Sequence, residues 1–242
     1  FRHPLTDETC PENRLFKKDI EDWNEICDQL YIWDYVTNFS HYLMPFPNFD
    51  TMRDNARFFA DHHVKGVFEE GNYNAVSGEF AELRGYLLAK LLWDPYMDES
   101  AYRRHLREFC DGYYGPGAEH VLAILDLLQA TTADQHVGCF ADPIKVLPAF
   151  VRQMDRINAL WDAAEAKAQT DLERSHLERS RLSTDYAALI ARWDERMSNG
   201  EGEALQQENQ AFYEKLRRYG INLKEWTKLA DPPDFSVRAD RW

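Results

Sequence analysis

The sequence predicts an α/β segment followed by an all-α one: the last strands and helices of a (β/α)8 TIM-type barrel in residues 1–95, a helical domain in 96–230 and a tail in 231–242. Three observations lead there. Two short runs rich in aromatic and β-branched residues, 30–36 (LYIWDYV) and 64–68 (VKGVF), have strand character. A segment of helical periodicity precedes each, and helix–strand alternation favours parallel strands covered by helices. From Gly78 onward the apolar residues recur at helical spacing, with no further strand signal. Two strands cannot form a stable parallel sheet alone, so earlier strands are expected before Phe1, with Phe1-Arg2-His3-Pro4 as the exit of one. A small α+β domain in which the two strands pair is the other arrangement open to this pattern.

The first helix is expected over residues 17–29, with Ile20, Trp23 and Ile26-Cys27 on one face, and the second over 52–62, with Phe58-Phe59 inward. Phe80, Leu83, Leu87-Leu88 and Leu91-Leu92 form a stripe that Pro95 ends. Helices over about 100–113 and 118–129 flank the Tyr-Gly-Pro-Gly turn at 114–117, and 131–142 reads as a loop. Three long amphipathic helices follow. Leu147, Phe150-Val151, Met154, Ile157 and Trp161 mark the first, Leu182, Tyr186, Leu189-Ile190, Trp193 and Met197 the second, and Leu205, Phe212, Leu216 and Tyr219 the third. Asn199-Gly200 separates the last two, and Pro232-Pro233 marks an exposed tail.

The net charge of −14 and pI near 5.0 argue against a nucleic-acid partner. No apolar run approaches the roughly 18 residues of a membrane span, so no membrane partner is expected. Cys10, Cys27, Cys110 and Cys139 are far apart and make no CxxC or Cys/His cluster along the chain. That pattern predicts neither a metal site nor a disulfide-stapled scaffold and leaves no cofactor implied. It does not exclude secretion, so the compartment stays open with the cytoplasm slightly favoured. The oligomeric state is left open. Gly-rich phosphate loops and the GxSxG elbow are absent from the sequence, which removes the common nucleotide and triad-hydrolase readings.

In a parallel barrel the functional residues gather where strands end. Both strand runs here continue into polar, aromatic-flanked sequence, at 33–41 (WDYVTNFSH) and 67–73 (VFEEGNY). Asp34 lies in an otherwise apolar strand, where an unpaired buried carboxylate is costly. It faces a polar lumen, a cation or a ligand's hydroxyls, or pairs with an Arg or Lys of a neighbouring strand. Glu69 and Glu70 are adjacent and so point to opposite faces; one of them addresses the mouth. Neighbours of that kind are no acid–base pair, which needs carboxyls about 5–5.5 Å or about 6.5–9.5 Å apart. Glu79 and Glu82 fit the first turn of the following helix, where carboxylates favour the dipole. Trp33, Tyr35, Phe39, Tyr42, Phe46, Phe49 and Tyr73 concentrate aromatic rings around the two loops, and such rings stack on sugars or pack cores equally well.

The run YIWDYVTNFSHYLMPFPNF, then VKGVFEEGNY and GEFAELRGYLLAKLLWDP, resembles a bacterial family catalogued as domain of unknown function 4838 and associated with glycoside hydrolase family 163. The resemblance covers roughly residues 1–128. It implies a hexosaminidase-like glycosidase barrel that cleaves a β-linked amino-sugar glycan with retention, and hence a carbohydrate substrate. Family versions of the second motif read Glu-Gln-Gly-Asn-Tyr, which implies that Glu69 holds the acidic position. The resemblance also implies a general acid on an earlier strand, before Phe1. With the acid upstream, Asp34, Asn38 and Glu69 would bind hydroxyls rather than break bonds, and this piece alone is expected to be inactive. Within the chain the catalytic candidates are Glu69 and Asp34, and the sugar-binding candidates Trp33, Tyr35, Asn38, His41, Glu70, Asn72 and Tyr73. A non-catalytic carbohydrate-binding or interaction protein is the alternative.

Overall fold

A computed structural model describes residues 3–225 of the chain except 134 and 142, with the backbone alone for 143–146. The expected tail at 231–242 lies outside the described residues. Helix α1 (Pro11–Ile26) opens on a proline, which has no N–H to leave unpaired and a φ preset for a helix. Strand β1 (Leu30–Tyr35) follows, then α2 (Met52–Asp61), β2 (Val64–Glu70) and α3 (Ala81–Trp93). Beyond these the chain is helical: α4 (Glu99–Tyr114), one 3-10 turn at Gly115–Gly117, α5 (Ala118–Thr131), α6 (Pro143–Val151), α7 (Met154–Lys167), α8 (Asp171–Ser198) and α9 (Gly202–Tyr219).

The two strands pair in parallel. The barrel expectation fails, however. Among the described residues β1 and β2 make one two-stranded sheet, and helix takes up 63% of those residues. The fold is therefore a mostly helical one carrying a small parallel sheet. Local alternation of helix and strand signals parallel pairing, but the number of strands is a property of the whole assembly and leaves no local mark.

The main core is helical. Trp161 is fully buried, stacks on Phe80 with centroids 6.3 Å apart, and donates its indole N–H to Thr184 Oγ1 at 2.9 Å. Around it pack Leu83, Leu87, Val121, Ile124, Leu177 and Leu182, so α3, α5, α7 and α8 share one interior. A smaller cluster of Leu5, Ile20, Phe58 and Phe59 covers one face of the sheet through Leu30, Ile32, Val64 and Val67. The turn before α5 lies close against α7: a Cβ on Gly117 would come within 2.9 Å of the Ala164 carbonyl oxygen.

Helix ends follow their local chemistry. Asp98 accepts the Ala101 N–H at 2.8 Å, and Thr170 with Glu173 makes a reciprocal capping box at the start of α8. Gly220 takes φ +65° after α9 while the Ile221 N–H returns to Leu216 at 3.0 Å. The stripe from Leu147 to Trp161 spans two helices rather than one. Gln153 bonds back to Phe150 at 2.9 Å, an i to i−3 contact that breaks the ladder while the apolar spacing continues across it. No helix among the described residues is long and apolar enough to cross a membrane.

Candidate functional site at the strand ends

The parallel register fixes which side chains share a face. Ile32 opposes Val67, Trp33 opposes Phe68, Asp34 opposes Glu69, and Tyr35 opposes Glu70. Side chains alternate along a strand, so Asp34 and Glu69 continue the face that Ile32 and Val67 turn toward α1 and α2. Trp33, Phe68, Tyr35 and Glu70 lie on the other. Strand β2 runs two residues further than the apolar run alone suggests, which brings both glutamates into the ladder.

On the covered face Asp34 and Glu69 line a cleft with Asn48, Thr51, Met52, Asn55 and Leu88, on the α2 side of the sheet. Its interior holds about 10 Å³, room for one water and far short of a sugar ring. No arginine or lysine pairs with Asp34 among the described residues; its side chain accepts the Tyr35 N–H at 2.8 Å. Burial pushes the Asp34 carboxyl up. Burial, and then the charge of Asp34, pushes Glu69 to about 8. Glu69 Oε2 is sealed from solvent and has no hydrogen-bond partner among the described residues. Two carboxyls on adjacent strands cannot both ionise cheaply, so the pair retains a proton near neutral pH.

The other face is bare. Tyr31 is 74% exposed, Trp33 61% and Phe68 55%, far beyond what packing would leave to large apolar rings. Trp33 meets Phe68 edge-on at 4.9 Å, and its indole N–H donates to Glu70 Oε2 at 2.7 Å. Gly66 lets the Tyr31 ring lie on the sheet, since a Cβ there would come within 2.8 Å of that ring. The result is an aromatic surface with a positioned carboxylate at its edge. Such a surface offers ring faces to apolar C–H groups and an acceptor to hydroxyls.

The remaining candidates divide. Tyr73 is exposed, and its hydroxyl donates to Glu225 Oε1 at 3.0 Å. Asn72 is half-buried, its side chain 3.2 Å from where a Gly78 Cβ would sit. Asn38 is buried and committed to its own loop, donating to the Ala141 carbonyl at 2.9 Å and accepting the Ser40 and His41 N–H groups. His41 Nδ1 meets the Tyr186 hydroxyl at 2.7 Å and ties the β1 exit to α8. Tyr35 packs edge-on against Phe39 at 5.5 Å. Glu79 precedes α3 rather than lying in its first turn. It is buried in an ion pair with Arg84, which also donates to Asn48 Oδ1 at 3.0 Å and to the Phe46 carbonyl at 3.1 Å. Glu82 does occupy the first turn, where it accepts from Ser77.

Sequence spacing gave no sign of one further grouping. His3, Cys10 and His136 lie far apart along the chain, yet the fold brings a ligand atom of each within 4.8 Å of the others. A family model described as "Domain of unknown function (DUF4838)" matches residues 1–126. No curated protein matches the chain, and no solved structure does.

Proposed function

We propose, for a chain that belongs to the DUF4838 family, that it acts in the cleavage of a β-linked amino-sugar glycan by the retaining route, with the ends of β1 and β2 as its sugar-contacting surface. The observation that carries the reading is the bare cross-strand cluster of Trp33 and Phe68 with Glu70 held on the Trp33 indole. A pyranose ring laid on Trp33 would present its hydroxyls to Glu70 and to Tyr73. Asp34 and Glu69 are paired across the two strands on one face of the sheet. A pair that still holds a proton near neutral pH has one acid to protonate a leaving oxygen and one carboxylate to stabilise an oxocarbenium-like centre. The cleft that holds this pair has room for one water, so cleavage requires a glycan seated on the aromatic face to open it at the strand ends.

The second reading, a non-catalytic carbohydrate-binding protein, is favoured by a specific observation: Asp34 and Glu69 lie on the face opposite the aromatic rings. Incubation of the protein with β-linked N-acetylglucosamine oligosaccharides, with products resolved by chromatography, separates the two. Release of shorter sugars that stops in Glu69→Gln supports cleavage. Binding without release supports the binding protein, and neither binding nor release overturns both.

A further inference from the structure

Cys10 is the N-cap residue of α1 and is buried, 2% exposed. Its Sγ lies 3.3 Å from His136 Nδ1 and 3.6 Å from Glu12 Oε2. His3 completes the group: its Nε2 contacts the Ala133 carbonyl at 3.2 Å. A carbonyl can only accept, so Nε2 carries the proton and the lone pair of the neutral ring sits on Nδ1. That Nδ1 is sealed from solvent and has no hydrogen-bond partner among the described residues. An imidazole held by a carbonyl through one nitrogen and left unpartnered at the other, in a residue grouped with Cys10 and His136, is the arrangement metal-binding histidines adopt.

The backbone around the cluster is fixed before any ligand arrives. Asn13, itself buried, donates to the carbonyls of His3 at 2.8 Å and Pro4 at 2.9 Å, and the Leu5 N–H donates to Asn55 of α2 at 2.8 Å. A reactive thiol is the rival use of a cysteine beside a histidine. Nucleophilic cysteines are accessible and have lowered pKa values, whereas Cys10 is buried and burial pushes its thiol up.

We propose that His3 Nδ1, Cys10 Sγ and His136 Nδ1 bind one divalent cation of the zinc class, with the Glu12 carboxylate or a water as the fourth ligand. Two imidazoles and one thiolate suit zinc, and a carboxylate donor beside them suits it better than a monovalent copper ion. Bonds of about 2.0–2.3 Å at tetrahedral angles set ligand atoms about 3.5 Å apart. The Cys10–His136 contact already meets that spacing, and small side-chain rotations bring in the third donor. On binding, the Cys10 thiol releases its proton to solvent and the thiolate donates a lone pair to the cation; nothing is oxidised or reduced.

Such a site would be a clip. Cys139 and Ala141, beyond His136, hold the β1 exit through Cys139 O to the Phe39 N–H at 2.8 Å and Ala141 O to Asn38 at 2.9 Å. A cation bound to His136 would fasten that loop to the segment before α1, two parts of the chain 126 residues apart at the Cys10–His136 contact. The consequence for the sheet is a fixed exit path, independent of what the sheet binds.

The test is titration of chelator-treated, reduced protein with Co2+, followed by absorption. One equivalent should give tetrahedral visible bands together with a thiolate-to-cobalt charge-transfer band, and Zn2+ should displace both. Cys10→Ser should remove the charge-transfer band, and Cys27→Ser should leave it. His136→Gln, at a half-buried position that tolerates substitution better than Cys10, should weaken binding at least about 100-fold. Absence of the charge-transfer band in protein with native circular dichroism, or its persistence at full affinity in His136→Gln, overturns the proposal.

Discussion

Replacing Glu69 by glutamine should flatten the dependence of stability on pH. Glu69 has an ordinary value of 4.5 and stands at about 8 in the fold, raised by burial and by Asp34. A carboxyl whose folded pKa lies above its unfolded one binds its proton more tightly when folded. Its contribution is therefore present in full below about 4.5 and is lost as pH rises toward about 8. Each pH unit inside that window costs about 1.4 kcal/mol. Between pH 5.5 and 7.5 the wild-type chain should lose about 2.5 kcal/mol through this one group, equivalent to roughly 5–10 °C in melting temperature for a chain of this size. Glutamine keeps the shape of the protonated acid and cannot ionise. In Glu69→Gln most of that loss should vanish. Urea unfolding at the two pH values, for both proteins, measures the difference of slopes directly. Parallel slopes would refute the shared-proton reading of the pair.

Three further perturbations test the interior and the cation site. Arg84→Met strands the Glu79 carboxylate, which is buried among Arg84's other partners, and should destabilise by about 3–5 kcal/mol; adding Glu79→Gln should recover much of that loss by urea unfolding. Trp161→Ala removes the fully buried ring at the centre of the helical core and should cost about 3–5 kcal/mol, with near-ultraviolet circular dichroism reporting the loss of its environment. One equivalent of Zn2+ should raise the melting temperature of the wild-type chain and leave that of Cys10→Ser unchanged.

Local signals carried much of the fold. The aromatic, β-branched run at 30–36 predicts β1 to within a residue, and helical spacing locates α2, α4 and α5 closely. The barrel did not follow, because a strand's sequence reports its own burial and not how many partners it has. Alternation along β2 correctly separates Glu69 from Glu70, but which face α1 and α2 cover depends on packing across the sheet. The result sets Glu70 beside the exposed Trp33 and leaves Glu69 with Asp34 on the covered side. Asn38 and His41, polar residues in an aromatic loop, are taken up in holding that loop to Ala141 and Tyr186. No pattern in the sequence distinguishes such a role from ligand binding. The His3, Cys10 and His136 grouping was invisible for a simpler reason: metal-ligand motifs are read from short spacings, and this one is closed by tertiary contact between α1 and a distant loop.

Whether the bare face of the sheet receives a sugar is tested most directly by titrating the protein with β-linked N-acetylglucosamine oligosaccharides while following the Trp33 indole N–H resonance. Trp33 is 61% exposed and its N–H is held by Glu70, so a ring stacking there must move that signal. A saturable shift is expected, with affinity falling about tenfold in Trp33→Ala, the loss of roughly 1.4 kcal/mol of aromatic contact. A resonance that stays in place at saturating sugar, or equal affinity in Trp33→Ala, would contradict the assignment.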